Sequence, residues 1–451
     1  MVTINILGIS FSIIASLLFW AVTIAIVMRI ILVALGYEKA RRFSGPWAKK
    51  YLPLFLTHEH PTNPPMVKPW KTNIKIILFG LWVRLVTLML AYIFLHLEGL
   101  DTSIVDIFRS FSRWDANHYL VLAETGYIHT EGGHHLFVVF FPLYPWLIRL
   151  VSLVTRSYFA AAYVVSFASY VAGLCYVYHL VKLDFSEKTA WWAVVLISIF
   201  PTSFFFGAPH TESLFMLTTA ASLYYIRSHK WCLAGIFGAL ATTTRMVGVV
   251  LIAAAGVEFV MHYSLFTLMK KGKWTQFFDL VLKKGLFILL ILVGIIVYLF
   301  INWRITGDPL RFLYYQSSNW NNGFLYFGAA MRMQFNGMPP IIMDNILNNS
   351  MIFIHGPNIL GFAFVIWMIV YAAIKRHNAG YITYSLGYTF VSFSMVWLLS
   401  GGRYAAALVP AFVFLADYVE KKPHRGAIII ALFLLLLIPI LRIYVMGGWV
   451  M

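Results

Sequence analysis

Two side chains of reactive type stand one helical turn apart in the stretch SRWDANHYLVLAETGY (112–127): Asp115 and His118. A carboxylate beside an imidazole can exchange protons near neutral pH. Ser112-x-x-Asp115 matches a capping box that opens a short helix, and Gly126 matches its C-terminal stop. On such a helix Asp115, His118 and Leu122 share one face, because residues three and four apart are neighbours. A purely structural reading is that Asp115 caps the helix and His118 packs. Four further polar islands interrupt the chain: His210-Thr211-Glu212-Ser213, Thr242-Thr243-Thr244-Arg245, Thr306-Gly307-Asp308-Pro309 and Ser400-Gly401-Gly402-Arg403-Tyr404. Glu212 opens an apolar segment just after Pro209, where a carboxylate also complements the helix dipole. Arg403 follows two glycines at a helix start, where backbone N–H groups, the dipole and a guanidinium together suit a phosphate. Its bland alternative is an arginine snorkelling at an interface. Arg245 follows the same logic and equally suits pairing with an acid.

The elements that must position these residues are membrane spans. Of 451 residues, 61% are hydrophobic and 11% charged, which excludes a soluble domain. The apolar runs are continuous rather than alternating, so the chain reads as an all-α polytopic membrane protein and not a barrel. The net charge of +17 sits in short loops between spans, as positive-inside topology requires, and a nucleic-acid partner is not expected. Cys175 and Cys232 both fall in apolar runs and read as core residues with no disulfide or metal role. The first run, residues 8–36, is too long for a signal sequence and reads as a retained span.

Charge fixes the sides. The loop with Arg41, Arg42, Lys49, Lys50, Lys68, Lys71 and Lys75 is expected in the cytoplasm. The span 74–96 then delivers segment 97–157, with Asp115, to the outer face. Within it, FFPLYPWLIRLVSLV (140–154) is broken by Pro142 and Pro145 and is expected to lie in the outer interface. Further spans are expected at 158–181, 190–206, from 214, at 285–303, 350–374, 380–399, 403–419 and 426–446. The stretch 232–262 is expected to fold as a hairpin with Arg245 at its outer tip. Arg84, inside a span, is expected to neutralise an acid. Placing the basic loops inside puts all five polar islands on one outer face, which implies a site there. Segment 207–213 is one of these outer turns. No tandem repeat, P-loop or nucleotide-binding glycine motif is present, so an activated substrate on that face would have to be a lipid.

The motifs RWDANHYLVLAETGY (113–127), FFPLYPWLIRL (140–150), FPTSFFFGAPHTESLF (200–215), GALATTTRMVGVVL (238–251), TGDPLRF (306–312) and GGRYAAALVPAFVFLA (401–416) resemble the PIG-V family of mannosyltransferases. That family comprises the enzymes that add the second mannose to GPI anchors, with their prokaryotic relatives. The resemblance implies a GT-C glycosyltransferase fold of about ten to twelve spans. It implies a division into 1–75, an extra N-terminal helix with a basic cytoplasmic loop, and 76–446, the catalytic transmembrane domain with 97–157 as its extracytoplasmic loop. The implied activity is transfer of mannose, with inversion, from polyprenyl- or dolichyl-phosphate-mannose to a hydroxyl of a glycolipid or glycan. The enzyme is expected in a prokaryotic plasma membrane with its site facing outside.

The resemblance places the catalytic base at Asp115, with Glu212 as the runner-up. Trp114, His118, His210, Glu212, Arg245, Arg403 and Tyr404 are the candidate substrate-binding residues. His118 is read either as orienting Asp115 or as touching sugar, against a plain interfacial histidine. Asp308 and Arg311 read as a structural turn. His129, Glu131, His134 and His135 surround Gly132-Gly133 and read as a polar loop; no metal and no cofactor is expected, because a monophosphate leaving group needs no metal clamp. The competing reading is a flippase or transporter of lipid-linked sugars, which would carry charges along several spans and repeat symmetry between halves. A non-catalytic subunit would lack the acids, and a GT-C enzyme acting on another sugar stays open.

Overall fold

The computed structural model describes residues 2–34, 69–100, 102–338 and 350–450. Arg41, Arg42, Lys49, Lys50 and Lys68 of the expected cytoplasmic loop lie outside them.

The described residues are helical almost throughout. In chain order come α1 (Val2–Ala34), α2 (Pro69–Leu97), α3 (Ile104–Phe111), α4 (Asp115–Thr125), α5 (Leu143–Thr155), α6 (Tyr158–Asp184) and α7 (Glu187–Ser198). There follow α8 (Glu212–Arg227), α9 (Trp231–Thr244), α10 (Leu251–His262), α11 (Leu265–Lys270), α12 (Trp274–Lys283) and α13 (Val293–Thr306). The chain continues through α14 (Arg311–Trp320), α15 (Phe327–Gly337), α16 (Ser350–Ile374), α17 (Ala379–Phe393), α18 (Gly401–Ala407), α19 (Val409–Glu420) and α20 (Pro423–Val445). Six helices among the described residues are long and apolar enough to cross a bilayer, seven if the bent pair α18–α19 counts as one span. Shorter apolar helices at 143–155, 231–244 and 246–262 join them, and the protein is a multi-pass, all-helical membrane protein.

Several spans read as continuous from hydropathy are broken, and the breaks have causes. The run 190–206 ends as a helix at Ser198 and continues in 3-10 turns through Phe206. The run 380–399 ends at Phe393. Pro410 lacks an N–H and crowds the preceding turn, so the chain bends by 71° between α18 and α19. The 232–262 run folds as expected into two arms, with Arg245 extended between them at φ −151° and ψ 140°. The second arm starts close against the first: a Cβ on Gly248 would stand 2.5 Å from the Ala241 carbonyl carbon, so only glycine fits.

The capping box expected at Ser112 and Asp115 is not there. Ser112 ends α3, and the box forms one helix earlier, where Ser103 and Asp106 bond each other's backbone N–H. Asp115 instead opens α4 directly after Trp114, whose φ of 49° and ψ of −117° turn the chain sharply. Gly126 ends α4 with φ 74°, as its type predicts.

Helices α6, α8 and α9 pack side by side at the centre, and α1 packs along α15 and α16. At one end of this bundle Arg227 of α8 donates to Asp184 of α6 at 2.7 Å and to Glu258 of α10 at 3.0 Å. His229 and Asn378 also contact Glu258, so the acids there are fully engaged. Among the described residues Arg84 meets no acid. It donates to the carbonyls of Ser198 and Ser203 at 3.1 and 2.6 Å and lies over the Tyr170 ring, closing the carbonyl end of α7. Cys175 is half-buried and Cys232 exposed, so Cys232 is not a core residue: its position on α9 faces outward from the bundle.

Candidate active site

Four of the five polar islands, far apart in sequence, meet at the opposite end of α8. Glu212, at the first position of α8, is fully buried. Its Oε1 accepts from Arg403 Nε at 2.6 Å and from Arg245 Nη2 at 2.6 Å. Arg245 Nε also donates to Thr211 Oγ1 at 2.8 Å. Arg403 Nη1 stands 3.5 Å from Asp115 Oδ2, and its guanidinium lies 4.6 Å over the Phe205 ring. Two arginines and two carboxylates therefore form one chain, Arg245–Glu212–Arg403–Asp115. Burial without this pairing would cost several kcal/mol per charge.

The two acids differ in access. The Asp115 side chain is 37% exposed, whereas that of Glu212 is 0% exposed. Asp115 is thus the carboxylate that an incoming hydroxyl can reach, and Glu212 is the anion that holds both guanidinia. Glu212 Oε2, Arg245 Nη1 and His210 Nδ1 are buried without a hydrogen-bond partner, so the cluster keeps polar capacity for a ligand.

Each remaining candidate has a definite place. His210 is buried, its ring 5.3 Å from Phe205 and its Nε2 3.5 Å from the Tyr444 hydroxyl. Burial, helped by the Arg403 charge, pushes its imidazole down to about 4, so it is neutral at pH 7. Trp114 packs edge-on against Tyr444 at 5.2 Å and near Trp449 at 6.3 Å, contacts that hold its unusual backbone. Tyr404 follows Arg403, and its carbonyl accepts from Tyr388. His118 does not pair with Asp115: its ring rests against Phe137 and Phe140 at 4.8 and 5.1 Å, and Arg403 is the partner of Asp115 instead.

Of the amides expected to cradle a phosphate at Gly401-Gly402, that of Gly401 is otherwise engaged. Gly401 N–H donates to Asn358 Oδ1 at 2.6 Å. Asn358 in turn donates to the Leu398 carbonyl and to Gln334, which itself bonds Leu398 and His355. This buried carboxamide pair fixes the turn from which Arg403 projects. The sequence reading missed both amides, and nothing in their local pattern marks them. It also missed Tyr119, buried in the field of Asp115, Glu212 and Arg245; its place four residues after Asp115 on one helix face was a usable signal.

The outlying motifs stay outside the cluster. Asp308 Oδ1 accepts from Leu310 N–H, and Arg311 lies over Tyr314 and Tyr315, the turn that was expected. His129 stacks on Phe137, while Glu131 and His134 pair through their backbones. Among the described residues no three His, Cys, Asp or Glu side chains are grouped as metal ligands. Phe204, Phe205 and Phe206 are buried, and Phe205 carries the Arg403 guanidinium.

Comparison with known proteins agrees with the resemblance read from the motifs. The family described as dolichyl-phosphate-mannose-protein mannosyltransferase matches residues 141–296. The chain is similar to GPI alpha-1,6-mannosyltransferase 2 of Cricetulus griseus, 26% identical over 176 residues, 36% of this chain and 33% of that protein. The protein of the same description from Rattus norvegicus is 25% identical over 181 residues, 36% of this chain and 34% of its own length. The match therefore spans about a third of these curated relatives. Among solved structures, the apo oligosaccharyltransferase of Archaeoglobus fulgidus aligns with 82% of this chain and 56% of its own, at 12% identity and a TM-score of 0.39.

Proposed function

We propose that this protein is a membrane glycosyltransferase that moves mannose from a polyprenyl- or dolichyl-phosphate donor to an acceptor hydroxyl on the extracytoplasmic face. The observation that carries the proposal is the half-open Asp115 carboxylate held beside a buried Arg403–Glu212–Arg245 array. The matched family description and the mannosyltransferase relatives support the sugar and the lipid-phosphate donor.

In this reading Asp115 takes the proton of the acceptor hydroxyl as its oxygen attacks the anomeric carbon. The bond from that carbon to the phosphate oxygen breaks, the lipid phosphate leaves with the electron pair, and the configuration inverts. The positive charge for the leaving phosphate comes from Arg403 and Arg245. Glu212 is too enclosed to serve as base; it keeps the two guanidinia in place. His210 and Tyr119 supply neutral polar groups at the wall of the cluster, and Trp114 fixes where α4 begins. A transporter reading is weaker, because the charges of the cluster gather at one end of the bundle instead of lining a path through it.

The test is transfer of labelled mannose from synthetic polyprenyl-phosphate-mannose to membrane acceptors, by wild type and by Asp115→Asn of equal abundance. Labelled product from wild type alone supports the proposal. Equal transfer by both removes Asp115 as the base. Transfer of another sugar by wild type, with mannose inert, keeps the site and overturns the donor.

A further inference from the structure

We propose that residues 264–284 form a binding site for anionic phospholipid headgroups at the end of the bundle opposite Asp115 and Glu212. The placement follows from three consecutive helices. Helix α8 runs away from Glu212 to Arg227, α9 returns to Arg245 beside Glu212, and α10 leaves again to His262. The pair α11–α12, joined through Gly272, follows directly and so stands at the far end.

Its composition is that of a headgroup layer. Lys270, Lys271, Lys273, Lys283 and Lys284 are all exposed, against the single acid Asp279, which pairs with Lys283 at 2.5 Å. The first three have no acidic partner among the described residues. Trp274, Phe278 and Leu282, spaced by four, form one exposed stripe at 49, 54 and 59% exposure, and Phe266 and Met269 add to it. The other face of α12, with Phe277, Leu280 and Val281, packs on the core. Apolar side chains at this exposure beside unpaired lysines suit neither water nor hydrocarbon alone; they suit the boundary between them.

Length supports the same depth. The segment Trp274–Thr306 is 33 residues, roughly 50 Å at about 1.5 Å per residue, against about 30 Å of hydrocarbon. The surplus over the hydrocarbon is taken up by tilt and by the headgroup layers, which sets α12 and the lysines at its start at the interface. Lipid phosphates there find three unpaired ammonium groups and an apolar stripe for the adjoining chains.

The experiment is native mass spectrometry of the detergent-solubilised full chain with added phosphatidylglycerol or phosphatidylcholine. Wild type is expected to retain phosphatidylglycerol in preference. The triple variant Lys270→Ala/Lys271→Ala/Lys273→Ala is expected to lose affinity for it by about fivefold per lysine, with phosphatidylcholine unchanged. A control that removes the same charge at other exposed positions, Lys188→Ala/Lys375→Ala/Lys422→Ala, is expected within about twofold of wild type. Trp274→Ala/Phe278→Ala is expected to weaken retention of both lipids. Equal retention of the two lipids by wild type overturns the proposal. So does an unchanged Lys triple variant, or a control that loses as much.

Discussion

Replacing Glu212 by Gln separates the group that builds the cluster from the group that works in it. The carboxylate has no exposed surface, and its Oε1 accepts from two guanidinia at 2.6 Å each. Gln keeps the shape and removes the charge. Arg245 is then left with Thr211 as its partner, and Arg403 with Asp115 at 3.5 Å. Removing one partner of a buried ion pair costs about 3–5 kcal/mol, because the charge left behind is uncompensated. Asp115→Asn is the contrast: it gives up one long contact at a 37% exposed side chain, worth less than about 1 kcal/mol. Yet it removes the proposed base, and with it about 10²–10⁴ in rate. The assay is unfolding of the purified protein in mixed detergent–SDS micelles, beside mannosyl transfer under the conditions given above. The expected pattern is large destabilisation for Glu212→Gln and near-wild-type stability with little turnover for Asp115→Asn. In Glu212→Gln/Arg245→Gln the loss is expected to be smaller than the sum of the single losses, since one of the stranded charges has also gone. A Glu212→Gln protein within about 0.5 kcal/mol of wild type, or strict additivity in the double variant, would refute the reasoning.

Four other outcomes follow from single contacts. Asn358→Ala removes the acceptor for Gly401 N–H and is expected to cost about 1–3 kcal/mol, read in the same micelle titration, and to lower transfer through the displaced Arg403 turn. Arg84→Leu leaves the carbonyls of Ser198 and Ser203 unpaired and is expected to destabilise by about 1–3 kcal/mol without changing the KM for donor. Gly294→Ala is expected to cost at least about 1–3 kcal/mol, measured as lowered thermal stability, because its Cβ would stand 2.5 Å from the Ala239 carbonyl oxygen on α9. His210 binds its proton less readily folded, at about 4, than unfolded, near 6.5. Its contribution to stability is therefore complete above pH ~6.5 and is lost as pH falls toward 4, on the order of 3 kcal/mol. His210→Gln is expected to flatten that part of the stability-against-pH curve, and an unchanged curve would assign the acid limb to other groups.

The sequence by itself determined the solvent and the interruptions. Long apolar runs in a chain this hydrophobic can satisfy their backbone in a bilayer only as helices, and that reading holds from α1 to α20. The break at Arg245, the stop at Gly126 and the turn at Asp308 were legible because each depends on neighbours within four residues. The gathering of polar motifs at one end was also legible, since the alternation of spans fixes which loops share a side.

Which residue meets which was decided by the tertiary structure. Arg403 finds Glu212 across 191 positions and Arg245 finds it across 33, while His118, three residues from Asp115, turns to Phe137 and Phe140. Arg84 has the hallmarks of a charge seeking an acid, yet it closes the broken end of α7, a need that exists only once that helix stops at Ser198. Asn358 and Gln334 look like ordinary polar residues until α15 and α16 bring them beneath Gly401. Local patterns report short-range preferences of the backbone. The pairing of buried charges depends on the packing of α4, α8 and α18 against one another, and desolvation then leaves each charge no choice but the partner that packing provides.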